Sequence, residues 1–133
     1  MTTKLIVLIA GLLLIVTAVP VRAHHSFAAE FDAGKVVKLA GTVTKIEWTN
    51  PHAWFYIDVK DETGKVTKWA WELGSPNSLT RAGWSRNSMK IGDAVTVEGS
   101  RAKDGSNTAN AKTVTLSNGQ RLFGASSQGP AAQ

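Results

Sequence analysis

Trp48-Thr49-Asn50-Pro51-His52-Ala53-Trp54-Phe55-Tyr56-Ile57-Asp58-Val59 is the stretch on which the fold turns. A strand runs up to Trp48, Asn50-Pro51 supplies a turn, and a second strand starts at His52. Successive side chains of an extended strand point to opposite faces. Phe55, Ile57 and Val59 therefore share one face, which reads as core. His52, Trp54, Tyr56 and Asp58 share the other. That second face sets two large aromatics between an imidazole and a carboxylate, an unusual composition for a surface turned only to water.

Upstream, Lys35 to Trp48 reads as a long first strand rich in β-favouring Val36, Val37, Thr42, Val43 and Thr44. Its apolar face runs through Val37, Leu39, Gly41 and Val43, then shifts parity to Ile46 and Trp48. Such a shift predicts a bulge near Thr44-Lys45, and the mid-strand Gly41 predicts sharp coiling. Downstream, Asp61-Glu62-Thr63-Gly64 forms a hairpin turn, and Val66 to Leu73 forms a third strand with Trp69, Trp71 and Leu73 facing the core. Ser75-Pro76 suits a helix start, with a short helix over Asn77 to Trp84. Ala94 to Arg101 and Ala109 to Leu116 read as strands four and five, and Gln120 to Phe123 as a short sixth.

This order is that of a five- to six-stranded OB-like Greek-key barrel, all-β, with one short helix between strands three and four. A β-sandwich is the competing arrangement. The expected domain covers residues 35–123. Residues 24–34 form an amino-terminal segment that Phe27 and Phe31, four apart, dock on the barrel. Residues 124–133, built from Gly, Ala, Ser, Gln and Pro, read as a disordered tail.

Residues 1–23 carry the marks of a signal peptide. Lys4 precedes an apolar run from Leu5 to Val19, Pro20 breaks it, and Val21-Arg22-Ala23 supplies a cleavage pattern. The run is shorter than the about 20 apolar residues of a spanning helix. Cleavage after Ala23 makes His24 the mature terminus; cleavage after Ala18 is the alternative. The expected location is periplasmic or secreted, with membrane contact only through the signal peptide before cleavage. There is no cysteine, which excludes disulfides, thiolate metal sites and iron–sulfur ligation. The net charge of +5 includes Lys4 and Arg22, and the remaining bases are scattered. Scattered charge gives no nucleic-acid footprint, so no nucleic-acid partner is expected.

His24-His25-Ser26-Phe27-Ala28-Ala29-Glu30-Phe31-Asp32, Gly41-Thr42-Val43, Trp48-Thr49-Asn50-Pro51-His52-Ala53-Trp54, Lys90-Ile91-Gly92-Asp93 and Val97-Glu98-Gly99-Ser100 together resemble a family of short exported bacterial proteins. That family is catalogued as domain of unknown function 6152. The resemblance spans essentially the whole mature chain and implies an exported, predominantly β protein. It brings no established activity, so function must come from the chemistry of the residues.

The chain has three histidines, His24, His25 and His52. A mature terminus at His24 offers its α-amine and Nδ1 as a chelate, and a further imidazole completes a T-shaped set of three nitrogens, the histidine brace. Such a set favours copper(II). His52 is the expected third ligand, with His25 as a further candidate. Glu30, Asp32 or Asp58 can add an oxygen. A different class of function is an interaction module. In that reading Trp48, Trp54, Tyr56 and Asp58 line a groove for a peptide, glycan or periplasmic partner protein. Hydrolysis is poorly supported, because Ser26, Ser75, Ser78 and Ser85 lack a nucleophile-elbow setting and no carboxylate pair stands out.

Overall fold

The computed structural model describes residues 27–126. Residues 27–30 are helical and lead directly into β1 (Phe31–Glu47). There follow β2 (Trp54–Lys60), β3 (Val66–Glu72), helix α1 (Pro76–Arg81), β4 (Ala94–Ala102), β5 (Thr108–Thr115) and β6 (Arg121–Phe123). The strands pair in the order β3-β2-β1-β4-β5-β6, and a further parallel pairing of β3 with β5 closes β1 to β5 into a ring. The protein is thus mostly β, with two short helices among the described residues and an interior enclosed by five strands.

β1 makes closure possible by pairing with two neighbours in succession. Its first part pairs with β4 through Val36 to Thr42, and its second pairs with β2 through Thr42 to Glu47. The register slips between Val43 and Lys45, so Thr44 is the extra residue of a bulge. The parity change in the sequence is this bulge, which bends the strand and lets Val43 and Ile46 both turn inward. At Gly41 a Cβ would lie 2.6 Å from the Asp58 carbonyl oxygen. Only a residue without a side chain lets β1 and β2 approach this closely.

The interior holds Val43, Phe55, Ile57, Trp69, Trp71, Leu73, Val95, Val97 and Val114, so the inward faces read from the alternation are the inward faces of the ring. Phe55 and Trp71 stack with centroids 6.4 Å apart, and Trp69 and Trp71 with centroids 6.2 Å apart. α1 plugs one end. Ser75 caps it, its Oγ accepting from the Ser78 amide at 3.2 Å, Pro76 opens it, and Leu79 is fully buried. Trp84 follows, its Nε1 donating to the Phe123 carbonyl at 2.7 Å.

The helix expected over Asn77 to Trp84 runs instead from Pro76 to Arg81, and three further boundaries that bear on the site move. β1 starts at Phe31 rather than Lys35, because Phe31 pairs with Ala102 across a second irregularity. β2 starts at Trp54 rather than His52, which lies in the connection after the cis Asn50–Pro51 bond. Residues 124–126 are packed rather than loose. The Gly124 amide donates to the Lys112 carbonyl at 2.8 Å and its carbonyl accepts from the Gly74 amide at 2.7 Å, while Ser126 is buried. Backbone pairing fixes this strap, which is why its composition gave no sign of order. Residues 127–133 of the expected tail, the proposed signal peptide, His24 and His25 lie outside the described residues.

Candidate functional site

His52 stands just before β2, where the pairing with β3 becomes irregular. The Leu73 amide donates to the Ala53 carbonyl at 2.8 Å, and the Ala53 amide donates to the Gly74 carbonyl at 2.9 Å. Leu73 and Gly74 thus both oppose Ala53, a bulge that leaves the Leu73 carbonyl to the His52 ring. Trp54 stands opposite Glu72, and His52 is held against the residue that follows Glu72.

Each of these two groups is anchored through one atom. The His52 Nδ1 is 3.1 Å from the Leu73 carbonyl oxygen. A carbonyl can only accept, so Nδ1 carries the hydrogen in this bond, and in the neutral ring Nε2 keeps its lone pair. Glu72 Oε1 accepts from Asn110 Nδ2 at 3.0 Å, and Asn110 Oδ1 accepts from Ser126 Oγ at 2.7 Å. Asn110 is fully buried, opposite Glu72 in the parallel β3–β5 ladder and beneath the strap of residues 124–126. Gly74 is the clearance for that strap, since a Cβ there would fall 2.0 Å from the Ala125 carbonyl oxygen. Burial pushes the Glu72 carboxyl above its ordinary range, against the opposing pull of the His52 charge and the Asn110 hydrogen bond; Glu30 pushes it up further.

Glu30 ends the short helix of residues 27–30 that leads into β1, where Phe27 and Phe31 meet. The two rings stack with centroids 5.5 Å apart, and Phe31 is 3% exposed. The Lys103 amide donates to the Glu30 carbonyl at 2.8 Å, and Lys103 Nζ donates to the Ala28 carbonyl. Ala29, Glu30 and Phe31 line a cavity of about 330 Å³ together with Trp54, Lys103 and Thr108. The chain that follows His24 and His25 in sequence thus runs beside the outer face at Trp54.

The remaining groove residues do not gather there. Trp48 packs against the core and meets Trp54 only across a crevice of about 10 Å³, room for no more than one water. Tyr56 is engaged elsewhere. Its hydroxyl donates to Glu47 Oε2 at 3.2 Å, Lys45 Nζ lies 5.1 Å from its ring centroid, and Lys45 pairs with Glu47. Burial raises the Tyr56 phenol, with Glu47 adding to the rise, and the Lys45 hydrogen bond lowers the Glu47 carboxyl. Asp58 is opposite Thr42 and Lys68, six residues along from His52 or about 20 Å at the rise of a strand. That distance removes Asp58 from the oxygen donors within reach of His52. Its Oδ1 is buried and has no hydrogen-bond partner among the described residues.

The sequence reading missed Glu72, Asn110 and Ser126. Glu72 carried a usable signal, because the inward parity of Trp69, Trp71 and Leu73 turns it outward, toward the face of Trp54. Asn110 carried none. Ala109, Asn110 and Ala111 are all buried, and the Asn110 side chain meets Ser126 of the strap, a long-range packing that no alternation encodes. As donors, an imidazole nitrogen and a carboxylate oxygen suit a divalent ion of the copper or zinc kind. No group of three or more His, Asp or Glu side chains converges among the described residues. A complete donor set therefore needs atoms from outside them.

The family model that matches this sequence covers residues 11–111 and is described as "Family of unknown function (DUF6152)". The chain belongs to this family. No curated protein matches it. Among solved structures, it is similar to the N-terminal domain of the PriB protein from Thermoanaerobacter tencongensis, with 17% identity, coverage of 62% of this chain and 96% of that one, and a TM-score of 0.41. It is also similar to a ZRD-deleted mutant of TiaS in complex with agmatine, with 18% identity, coverage of 64% of this chain and 22% of that one, and a TM-score of 0.40. This chain thus spans about a fifth of the TiaS chain. No described helix is long and apolar enough to cross a membrane.

Proposed function

We propose that this member of the family is an exported, periplasmic binding protein. Its ring is an OB-like Greek-key barrel, and it holds copper(II) where the amino-terminal segment meets the start of β2. The five-stranded ring closed by a parallel β3–β5 pairing, with α1 between β3 and β4, supports the OB-like reading. In the proposed site, His24 at the mature terminus supplies its α-amine and Nδ1, and His52 supplies Nε2. His25 is the alternative partner on the same segment.

One observation carries this reading: Glu30 and Phe31 of the amino-terminal segment line one cavity with Trp54, two residues along from His52. The bond from His52 Nδ1 to Leu73 adds to it. Metal-binding histidines characteristically donate the other ring N–H to a carbonyl or carboxylate, which fixes the tautomer and aims the free nitrogen. When bound, the ion would be held by nitrogen donors; the chain's own part is to orient the His52 ring through Leu73.

The test begins with mass spectrometry of the exported protein, which should show a terminus at His24. Copper(II) titration of that form should give one site. Affinity should fall at least about tenfold in His52→Ala, and again when one extra residue precedes His24. Unchanged binding in both variants rejects the site. The cavity of about 330 Å³ beside Trp54 favours a second reading, in which that aromatic surface takes a peptide, glycan or partner protein. In that case Trp54→Ala should abolish partner binding while copper affinity is unaffected.

A further inference from the structure

We infer that Glu72 is an additional, oxygen ligand of this metal site and makes it selective for the divalent ion over copper(I). The inference rests on the metal-binding reading above and adds to it a residue, a polarity chain that holds that residue, and a valence preference.

A carboxylate at this place is expensive. Glu72 is half-buried on a face where its direct cross-strand neighbour is Trp54, and no cation pairs with it among the described residues. A buried charge usually has a partner or a task. The chain also spends a fully buried asparagine on it. Asn110 Oδ1 accepts from Ser126, so its amide nitrogen must face Glu72, and the donation to Oε1 runs in one direction only. Ser126 is brought there by the strap that Gly74 admits. Three segments distant in sequence are thus arranged to hold one carboxylate oxygen. Glu72 Oε2 makes no hydrogen bond among the described residues, and the His52 ring is held by Nδ1 on the carbonyl of the very next residue, Leu73, with Nε2 left open.

The pattern, each donor pinned through one atom and open at the other, is how proteins orient ligands around a metal. Imidazole and amine nitrogens with a hard carboxylate oxygen favour copper(II), then zinc. Copper(I) prefers the soft sulfur ligands that this site lacks. The chain has no cysteine.

The experiment uses the mature chain starting at His24 and compares wild type, Glu72→Gln, Ser126→Ala and His52→Ala. Glu72→Gln keeps an oxygen to accept from Asn110 but removes the charge. Copper(II) affinity from competition titration should fall at least about tenfold in Glu72→Gln and by less in Ser126→Ala. The electron paramagnetic resonance spectrum of the bound copper(II) should change in Glu72→Gln, as an oxygen donor leaves. Copper(I) affinity, measured without oxygen, should be lower than that for copper(II) in wild type and should not respond to Glu72→Gln. Thermal unfolding of the metal-free proteins controls for folding, and if Glu72→Gln fails to fold, Ser126→Ala decides the matter alone. Binding that survives Glu72→Gln with an unaltered spectrum but is lost in His52→Ala overturns the inference and leaves the site. Wild-type protein that takes no copper(II) overturns both.

Discussion

Two polar clusters lie along β2, and they are built on opposite principles. In the first, Lys45, Glu47 and Tyr56 satisfy one another: the ammonium pairs with the carboxylate, sits over the ring, and the phenol donates to the same carboxylate. Charge cancels, and nothing is left over to hold a further ligand. In the second, His52 and Glu72 are each bound through one atom to the protein and open at the other, with Asn110 and Ser126 buried behind Glu72. A polar surface with its interactions closed is a stabilising feature; one with pinned but unfinished donors is a candidate site. The difference lies in what the bonding leaves unused, more than in which residue types are present.

The sharpest way to break this contrast is Asn110→Ala. It strips the Glu72 carboxylate of its donor and Ser126 of its acceptor inside the packed strap, and should cost about 1–3 kcal/mol in urea unfolding. Tyr56→Phe removes one hydrogen bond from the closed cluster, where water can replace it, and should cost no more than about 1 kcal/mol in the same assay. Lys45→Ala, on an exposed ion pair, should leave the unfolding midpoint where it was. If Tyr56→Phe matched Asn110→Ala, the division between closed and open clusters would lose its energetic basis.

The smallest effect carries the clearest sign. Burial raises the Glu72 carboxyl, so in metal-free protein its contribution to stability is complete below the unfolded-state value and is lost as pH rises through the folded one. The Lys45 hydrogen bond lowers the Glu47 carboxyl, so its contribution is present above the unfolded-state value and is lost as pH falls through the folded one. Carboxyl carbon NMR across acidic pH should therefore show Glu72 titrating above, and Glu47 below, the ordinary glutamate value of about 4.3. Coincident titrations would contradict the difference in environment.

The ring was largely readable from the residues, because alternation is local. Phe55, Ile57, Trp69, Trp71 and Leu73 declared their side of the sheet one strand at a time, and the parity change after Val43 marked the bulge. Gly41, which the sequence marks for sharp coiling, stands where β1 and β2 approach too closely for a Cβ. The candidate site was readable by halves. His52 stood out as a histidine beside aromatic residues, and the Phe27 and Phe31 spacing announced the contact of their rings. For the groove residues Trp48, Trp54, Tyr56 and Asp58, sharing a face said nothing of distance along it or of the engagement of Tyr56 by Lys45 and Glu47. Asn110 and Ser126 were invisible for the converse reason. Their meaning depends on a contact across 16 positions of sequence, made by backbone pairing of residues whose composition suggests no order.

The strap of residues 124–126 has a consequence in time as well as in space. It lies C-terminal to every strand, so the residue that steadies Asn110 is made after the whole sequence of the ring. A chain stopped just short of Gly124 keeps the whole ring sequence yet leaves the Asn110 Oδ1 without its Ser126 donor and the Glu72 carboxylate less firmly aimed. Truncation before Gly124 therefore separates the closing of the ring, which needs only β1 to β5, from the holding of Glu72, which needs Ser126.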